Sequence, residues 1–474
     1  MTHLRNSIAA AAAMSVAVLT PAAAAAEDSE PLTLDPVEDL DEDFILGADI
    51  SSVLSLEESG VTFHDFDGEE ADLFEVLSEA GVTDIRVRVW NDPYDEEGEG
   101  YGGGTVDVER AVEIGQRATE AGMQTKVNFH YSDFWADPGK QFAPKEWEGF
   151  NTAQTADAVY DFTTEALDEF IDAGVDVNAV QVGNETNDAV AGVEGWDEIP
   201  EVLSAGAEAV RDALPEALVM LHFTNPEKTL YAEYAEALDE SGVDYDVFVS
   251  SYYPFWHGTL ENLTSELGHV AETYGKQVAV GEVSWAYSLE DFDGQANTVD
   301  SEEDASAYPV SVQGQADAVR DTVEAVTSVG EAGIGVYYWE PAWLPVGPPE
   351  ELESNQELWE RDGSGWATSY ASDYDPDDAG EYYGGTSWDN QALFGPDGHP
   401  HESLRVFQHL RGNAAPATSE TAAQENGDRT GWLTGGAALG AIVVAVLVTV
   451  LVTVVLRRRR AARRAQHNTP HNTL

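Results

Sequence analysis

Two strings decide the fold: Val180-Gln181-Val182-Gly183-Asn184-Glu185 and Val278-Ala279-Val280-Gly281-Glu282. Each is a run of β-formers that passes through a glycine and delivers a glutamate. A near-continuous apolar run is the signature of a strand buried on both faces. A carboxylate at the C-terminal tip of such a strand stands where a (β/α)8 barrel keeps its active site. The spacing between the two strings suits strands three βα units apart. One such glutamate is readily a surface residue of an acidic protein. Two in matching contexts point to a paired-carboxylate hydrolase.

Working outward, the segment alternates strand and helix. Strands are expected at 44–49, 84–90, 125–130, 179–183, 218–223, 247–252, 277–281 and 333–339. Amphipathic stretches at 71–80, 106–121, 152–173, 199–213, 230–241 and 312–329 read as helices. Eight strands with interleaved helices predict an α/β fold, a (β/α)8 TIM barrel forming a single catalytic domain over residues 44–411. A doubly wound open sheet is the alternative. The barrel is preferred because polar and aromatic residues follow nearly every strand, as a ring of loops around one site requires.

The ends of the chain are of another kind. Residues 1–26 carry an early positive charge, an alanine-rich apolar core from Ile8 to Leu19, and Ala24-Ala25-Ala26 before Glu27, the pattern of a secretory signal peptide. Residues 27–43 read as a flexible acidic leader, and residues 412–431, rich in Ala, Thr, Ser and Glu, as a stalk. Residues 432–456 are uncharged and mostly apolar, long enough for a transmembrane helix. Arg457 to Arg460 follow at once and open a basic tail, 457–474, that the positive-inside rule assigns to the cytoplasm. The expected location is the cell surface, with the catalytic domain outside and the membrane a partner through the C-terminal helix.

Cysteine is absent, so stability rests on a large core rather than on disulfides. Lys+Arg number 22 against 89 Asp+Glu, for a net charge of −67. That balance argues against nucleic acid as a partner, since phosphate binding needs a basic face.

The strand ends supply the candidate sugar contacts: Asp49, Arg88, Trp90, Asn91, His130, Asp133, Trp135, Asn184, Tyr252, Trp285, Trp339 and Trp343. Pyranose rings have apolar faces that stack on aromatic side chains, and their hydroxyls need polar partners. For any single tryptophan, core packing is the commoner role. A retaining glycosidase needs one carboxyl protonated and one ionised, about 5–5.5 Å apart. An arginine from the second strand, for which Arg88 is favoured over Arg86, and a tyrosine from the sixth are expected to keep Glu282 ionised.

The same residues resemble the endo-β-1,4-galactanases of glycoside hydrolase family 53. The resemblance runs from about Phe44 to Gln408. It is carried by Gly47-Ala48-Asp49-Ile50-Ser51-Ser52, Arg86-Val87-Arg88-Val89-Trp90, the run from Asn128 to Pro138, Gln181 to Glu185, Tyr252-Tyr253-Pro254, Gly281-Glu282 and Tyr338-Trp339-Glu340-Pro341-Ala342-Trp343. It implies Glu185 as acid/base, Glu282 as nucleophile, and β-1,4-galactan of type I arabinogalactan as the polysaccharide substrate. It also implies a structural Ca2+ ion in the loop after the seventh strand, where Asp291, Asp293 and Asn297 offer oxygens. Gln295 stands where the family pattern has histidine, and the resemblance adds Asp389 and Thr386 as further ligands. A solvated acidic turn is the plainer reading of that loop. Two other functions fit the residues: a barrel glycosidase acting on mannan or cellulose, and a non-catalytic surface carbohydrate-binding protein.

Self-repulsion at this net charge opposes compaction unless salt screens it. Adaptation to a salty environment is the expectation, and the denaturant midpoint of unfolding should rise steadily across a sodium chloride series. A midpoint indifferent to salt rejects that view.

Overall fold

The computed structural model describes residues 31–412. Eight parallel strands close into a barrel: β1 (Ile45–Asp49), β2 (Asp84–Val89), β3 (Gln124–Phe129), β4 (Val177–Val182), β5 (Leu218–Phe223), β6 (Val247–Ser251), β7 (Gln277–Val283) and β8 (Gly333–Trp339). Each pairs with its sequence neighbours, and β8 returns to β1 in the register Ile45 to Gly335 through Asp49 to Trp339. Every expected strand forms, with ends shifted by a few residues at most. The open doubly wound sheet is excluded by closure.

Helices α1 (Leu73–Glu79), α2 (Val108–Glu120), α3 (Thr152–Ala173), α4 (Ile199–Ala213), α5 (Tyr231–Ser241), α6 (Leu260–Tyr274), α7 (Val312–Thr327) and α8 (Val406–Leu410) surround the strands. Helix α3 shows how the sequence writes one. Asn151 and Gln154 form a reciprocal capping box, and Gly174, at φ +79°, ends the helix in the left-handed conformation that glycine takes without cost. Its buried residues Thr155, Ala156, Val159, Thr163, Ala166, Leu167 and Phe170 recur at three- and four-residue spacing, which makes one continuous apolar stripe. Helices α6 and α8 were not expected. In α6 the buried residues are only Leu263, Leu267 and Val270, a stripe too thin to stand out among its polar neighbours.

Alternation sorts the strands into two faces. Leu46, Ile85, Val87, Val127, Val180, Leu221, Phe248 and Val280 pack outward into the main core beneath the helices. The inward face is layered. At one end Ala179, Met220, Val247, Val249 and Ala279 make a small apolar plug. Toward the C-terminal ends it turns polar, with Asp49, Arg86, Arg88, Lys126, Asn128, Gln181, His222 and Ser251 all buried. An apolar outer face carrying a polar inner one is what places chemistry on a rigid support.

The segment 31–43 corrects one expectation, since it is not a free leader. Leu32, Leu34 and Leu40 pack on the core, Val37 is buried, and its N–H donates to Leu410 O at 3.1 Å. Its apolar residues, scattered among acids, are enough to dock it. Arg411 fastens the other end by donating to Asp41 O at 2.8 Å, Glu42 O at 2.9 Å and Phe44 O at 2.6 Å. Among the described residues no helix is long and apolar enough to cross a membrane. The expected signal peptide, stalk, transmembrane helix and basic tail lie outside the described residues.

Candidate active site

Local backbone irregularity delivers both glutamates. In β7 the register with β6 slips between Ser250–Val280 and Ser251–Glu282, and a matching slip occurs against β8. Gly281 faces the barrel interior, where an added Cβ would meet Val249, His222 and Lys126. Strict alternation would send Glu282 outward into the helical layer. The bulge re-aims it inward, a common use of bulges beside active sites. At the end of β4, Gly183 takes φ +81° and Glu185 itself φ +49°. A left-handed glutamate is uncommon, and such conformations concentrate at functional sites.

The two carboxylates converge. Ligand atoms of Glu185, Glu282 and His222 all lie within 4.8 Å of one another. Their environments differ. Both Glu282 oxygens receive donors, Arg86 NH2 on Oε1 at 2.9 Å and Tyr253 OH on Oε2 at 2.8 Å. A carboxylate so held is stabilised as the anion. Among the described residues no cation pairs with Glu185. Ser251 Oγ donates to its Oε1 at 2.5 Å, and His222 Nε2 lies 2.9 Å from that hydroxyl. Burial, reinforced by the negative charge of Glu282, pushes the Glu185 carboxyl up to about 8. One acid and one anion side by side are the requirement of acid/base and nucleophilic catalysis on a glycosidic bond.

Arg86 ties this pair to the barrel. Its NH1 donates to Asp49 Oδ2 at 2.7 Å, and its NH2 donates to Asn184 Oδ1 as well as to Glu282. Arg86, not Arg88, is therefore the arginine on Glu282. Residues two apart in a strand share a face, so Arg86 and Arg88 both point inward and take different partners. Arg88 binds Glu340 instead, at 2.6 Å.

The cleft above the pair has a volume of about 620 Å3, and Arg88, His130, Trp135, Asn184, Trp339 and Trp343 among the expected sugar contacts line it, with both glutamates. The others sit elsewhere. Asp49 lies beneath Arg86 and also accepts from Ser51 Oγ. Trp90 is fully buried, its Nε1 donating to His130 Nδ1 at 3.2 Å. Asn91 takes a backbone bond from its own N–H to Ser132 O, and Asp133 accepts from the N–H groups of Asp92 and Lys145. Tyr252 packs in the outer core with its hydroxyl on Gly258 O. Trp285 is buried in a satellite cluster with its Nε1 on Pro309 O. These positions depart from the expectation because a residue just past a strand can turn either way. Tyr253, Trp256 and Trp388 take the cleft positions instead, and Trp256 remains 53 % exposed. The Tyr-Tyr pair and the exposed tryptophan were visible as residues. Their direction was not.

A second cluster lies in the loops after β7 and β8. Ligand oxygens of Asp291, Asp293 and Asp389 lie within 4.8 Å of one another. Burial, aided by the charge of Asp293, pushes Asp389 up to about 8, and burial pushes Asp293 up to about 7. Asn297 Nδ2 donates to Asp389 Oδ1 at 2.7 Å, while its buried Oδ1 has no hydrogen-bond partner. Thr386 donates its N–H to Asp293 Oδ2, and its hydroxyl accepts from Trp388 N. Gln295 lines the cleft.

Comparison with known proteins agrees with this geometry. The sequence model of glycosyl hydrolase family 53 matches residues 45–407. An endo-beta-1,4-galactanase of Bacillus subtilis (strain 168) is 53% identical over 389 residues, 82% of this chain and 91% of that protein. An arabinogalactan endo-beta-1,4-galactanase of Cellvibrio japonicus (strain Ueda107) is 34% identical over 319 residues, 64% of this chain and 81% of that protein. The solved GH53 catalytic domain of Ignisphaera aggregans superposes with a TM-score of 0.72 at 34% identity, covering 80% of this chain and 99% of that one.

The upward shift of the Glu185 carboxyl has a stability consequence with a definite sign. Its folded value, about 8, stands above the carboxyl reference of 4.5, so the folded protein binds the extra proton between those values. Stability is full below the reference value and is lost as pH rises through about 8. Denaturant unfolding of the wild type should therefore weaken across that window more steeply than that of Glu185→Gln, which carries no titrating group there. Parallel pH profiles for the two proteins contradict this.

Proposed function

The chain belongs to glycosyl hydrolase family 53, and from that membership we propose that it is a retaining endo-β-1,4-galactanase acting on the β-1,4-galactan side chains of type I arabinogalactan. The observation that carries the mechanism is the closeness of the two carboxylates. Oxygens within 4.8 Å match the about 5–5.5 Å spacing of retaining enzymes and fall short of the about 6.5–9.5 Å that inverting enzymes keep for a water.

Glu282 attacks the anomeric carbon of the galactosyl unit while Glu185 gives its proton to the departing oxygen. A covalent galactosyl ester on Glu282 results. Glu185, now ionised, takes a proton from water, and that water displaces Glu282 from the anomeric carbon with overall retention. Arg86 and Tyr253 hold Glu282 in its attacking state and receive it back as the anion leaves. Asn184 projects beside Glu185, with its Oδ1 fixed by Arg86 and its Nδ2 donating to Ala136 O at 2.9 Å. Trp339 and Trp388, with ring centroids 4.7 Å apart at 70°, supply indole surface at the mouth of the pair.

A structural calcium ion belongs to the same reading. Its support is the set of hard oxygen donors from Asp291, Asp293 and Asp389, together with the orphaned Asn297 Oδ1, a chemistry that suits calcium. These four residues would hold it, and it would neutralise carboxylates that repel one another while joining the loops after β7 and β8. Attachment to the cell surface is a further part of the proposal, supported by the apolar run 432–456 and the arginines after it. Activity would then be retained with cells rather than in the medium.

On a panel of galactan, mannan, xylan and cellulose, the wild-type protein should cleave galactan, and Glu282→Gln should lower kcat by about four orders of magnitude while glycan binding persists. Equal turnover of mannan or cellulose overturns the substrate, and activity that survives in Glu282→Gln overturns the mechanism. Calcium chelation should lower Tm by several degrees, as expected of a ligand bound to the native state alone. An unchanged melt rejects the ion.

A further inference from the structure

Beside the catalytic pair runs a second buried ion pair that the reaction does not use. Glu340 follows β8 directly, is fully buried, and takes φ +50°. Its Oε1 accepts from Arg88 NH1 at 2.6 Å, its Oε2 accepts from Ser52 Oγ at 2.7 Å, and its N–H donates to Asp49 O at 3.0 Å. A buried charge pair is weak as a source of stability, because apolar residues of similar volume often do as well or better. A left-handed, non-glycine backbone adds strain. The arrangement therefore calls for a role other than holding the barrel closed.

What Arg88 touches supplies that role. Its NH2 donates to Gly103 O at 2.6 Å, and its Nε is buried without a partner. Its guanidinium carbon lies 4.4 Å from the centre of the Trp135 ring and 5.9 Å from that of Trp343. Trp135 and Trp343 stack at 28° with centroids 6.2 Å apart, and both line the cleft. A planar cation held by Glu340 and Gly103 thus packs on the Trp135 indole, which lines the cleft and is only partly buried. Gly103 leaves room for this, since a Cβ there would stand 2.8 Å from the Trp135 ring.

We propose that Glu340 is a positioning residue which, through Arg88, sets Trp135, with Trp343 buried against it, as the stacking surface for the apolar face of a bound galactosyl unit. Two arginines on one face of β2 thus divide the work, Arg86 serving the reacting carboxylate and Arg88 the stacking surface. The inference rests on the galactanase reading for the identity of the sugar and on the geometry for the mechanism of positioning.

Glu340→Gln keeps the shape and removes the charge. It should raise KM for galactan about tenfold with kcat within about a factor of two, because the stacking surface binds the polymer and does not touch the reacting atoms. Glu340→Asp, which restores a carboxylate, should recover part of the loss. Where the single variant fails to fold, the double variant Arg88→Met/Glu340→Met leaves no unpaired charge and serves instead. It should fold and still show the raised KM. A wild-type KM in either Glu340→Gln or the double variant overturns the inference, as does a loss confined to kcat. Failure of the wild type to cleave galactan would overturn the substrate reading instead, and the same KM comparison is then decisive on whichever β-1,4-glycan of the panel it cleaves.

Discussion

The site depends on one buried guanidinium. Arg86 reaches Asp49 on β1, Asn184 after β4 and Glu282 on β7 from its own place on β2. Four sectors of the barrel are thereby fixed to one planar group. A charge in such a place is tolerable only with its partners in good geometry. The same bonds that satisfy Arg86 hold Glu282 as an anion. The contrast with Glu185 follows, because among the described residues no cation pairs with it and it is left to burial and to its neighbour's charge. Fold and chemistry share a single constraint: the inner face of the strands must carry polar groups while the outer face carries the core.

The sequence made the barrel legible because two periodicities agree. Buried strands read as apolar runs, and amphipathic helices lie between them. The two glutamates of the proposed reaction were legible as well, at strand ends that pass through a glycine in matching contexts. What could not be read is direction at irregular backbone. Glu282 faces inward only because of a bulge that alternation does not announce. Glu185 and Glu340 face the site through left-handed turns at non-glycine positions. Tyr252 and Tyr253 are adjacent, and which one reaches Glu282 is decided where the strand ends. Trp285 follows its strand as closely as Trp343 follows β8, yet it is drawn into a satellite core. Arg86 and Arg88 share one face of β2, so strand alternation does not distinguish which of them meets Glu282.

Aromatic density has a similar lesson. Trp135, Trp339 and Trp343 meet around Arg88 and the mouth of the cleft, with centroids about 6 Å apart. The value of Trp135 as the proposed stacking surface comes from being fixed, since a loose indole would have to be ordered at each binding event. Charged groups below and carbonyl acceptors around them, Trp366 O for Trp135 and Ser364 O for Trp343, do that work.

The clasp between residues 31–44 and the end of the domain also has an architectural meaning. Arg411 grips the residues that lead into β1, and Leu410 O accepts from Val37 N–H, so the C-terminal end of the domain lies at the base of the barrel, where β1 begins, opposite the mouth of the cleft. The loops that shape the cleft stand at the other end of the strands, so they can vary in length without disturbing that clasp.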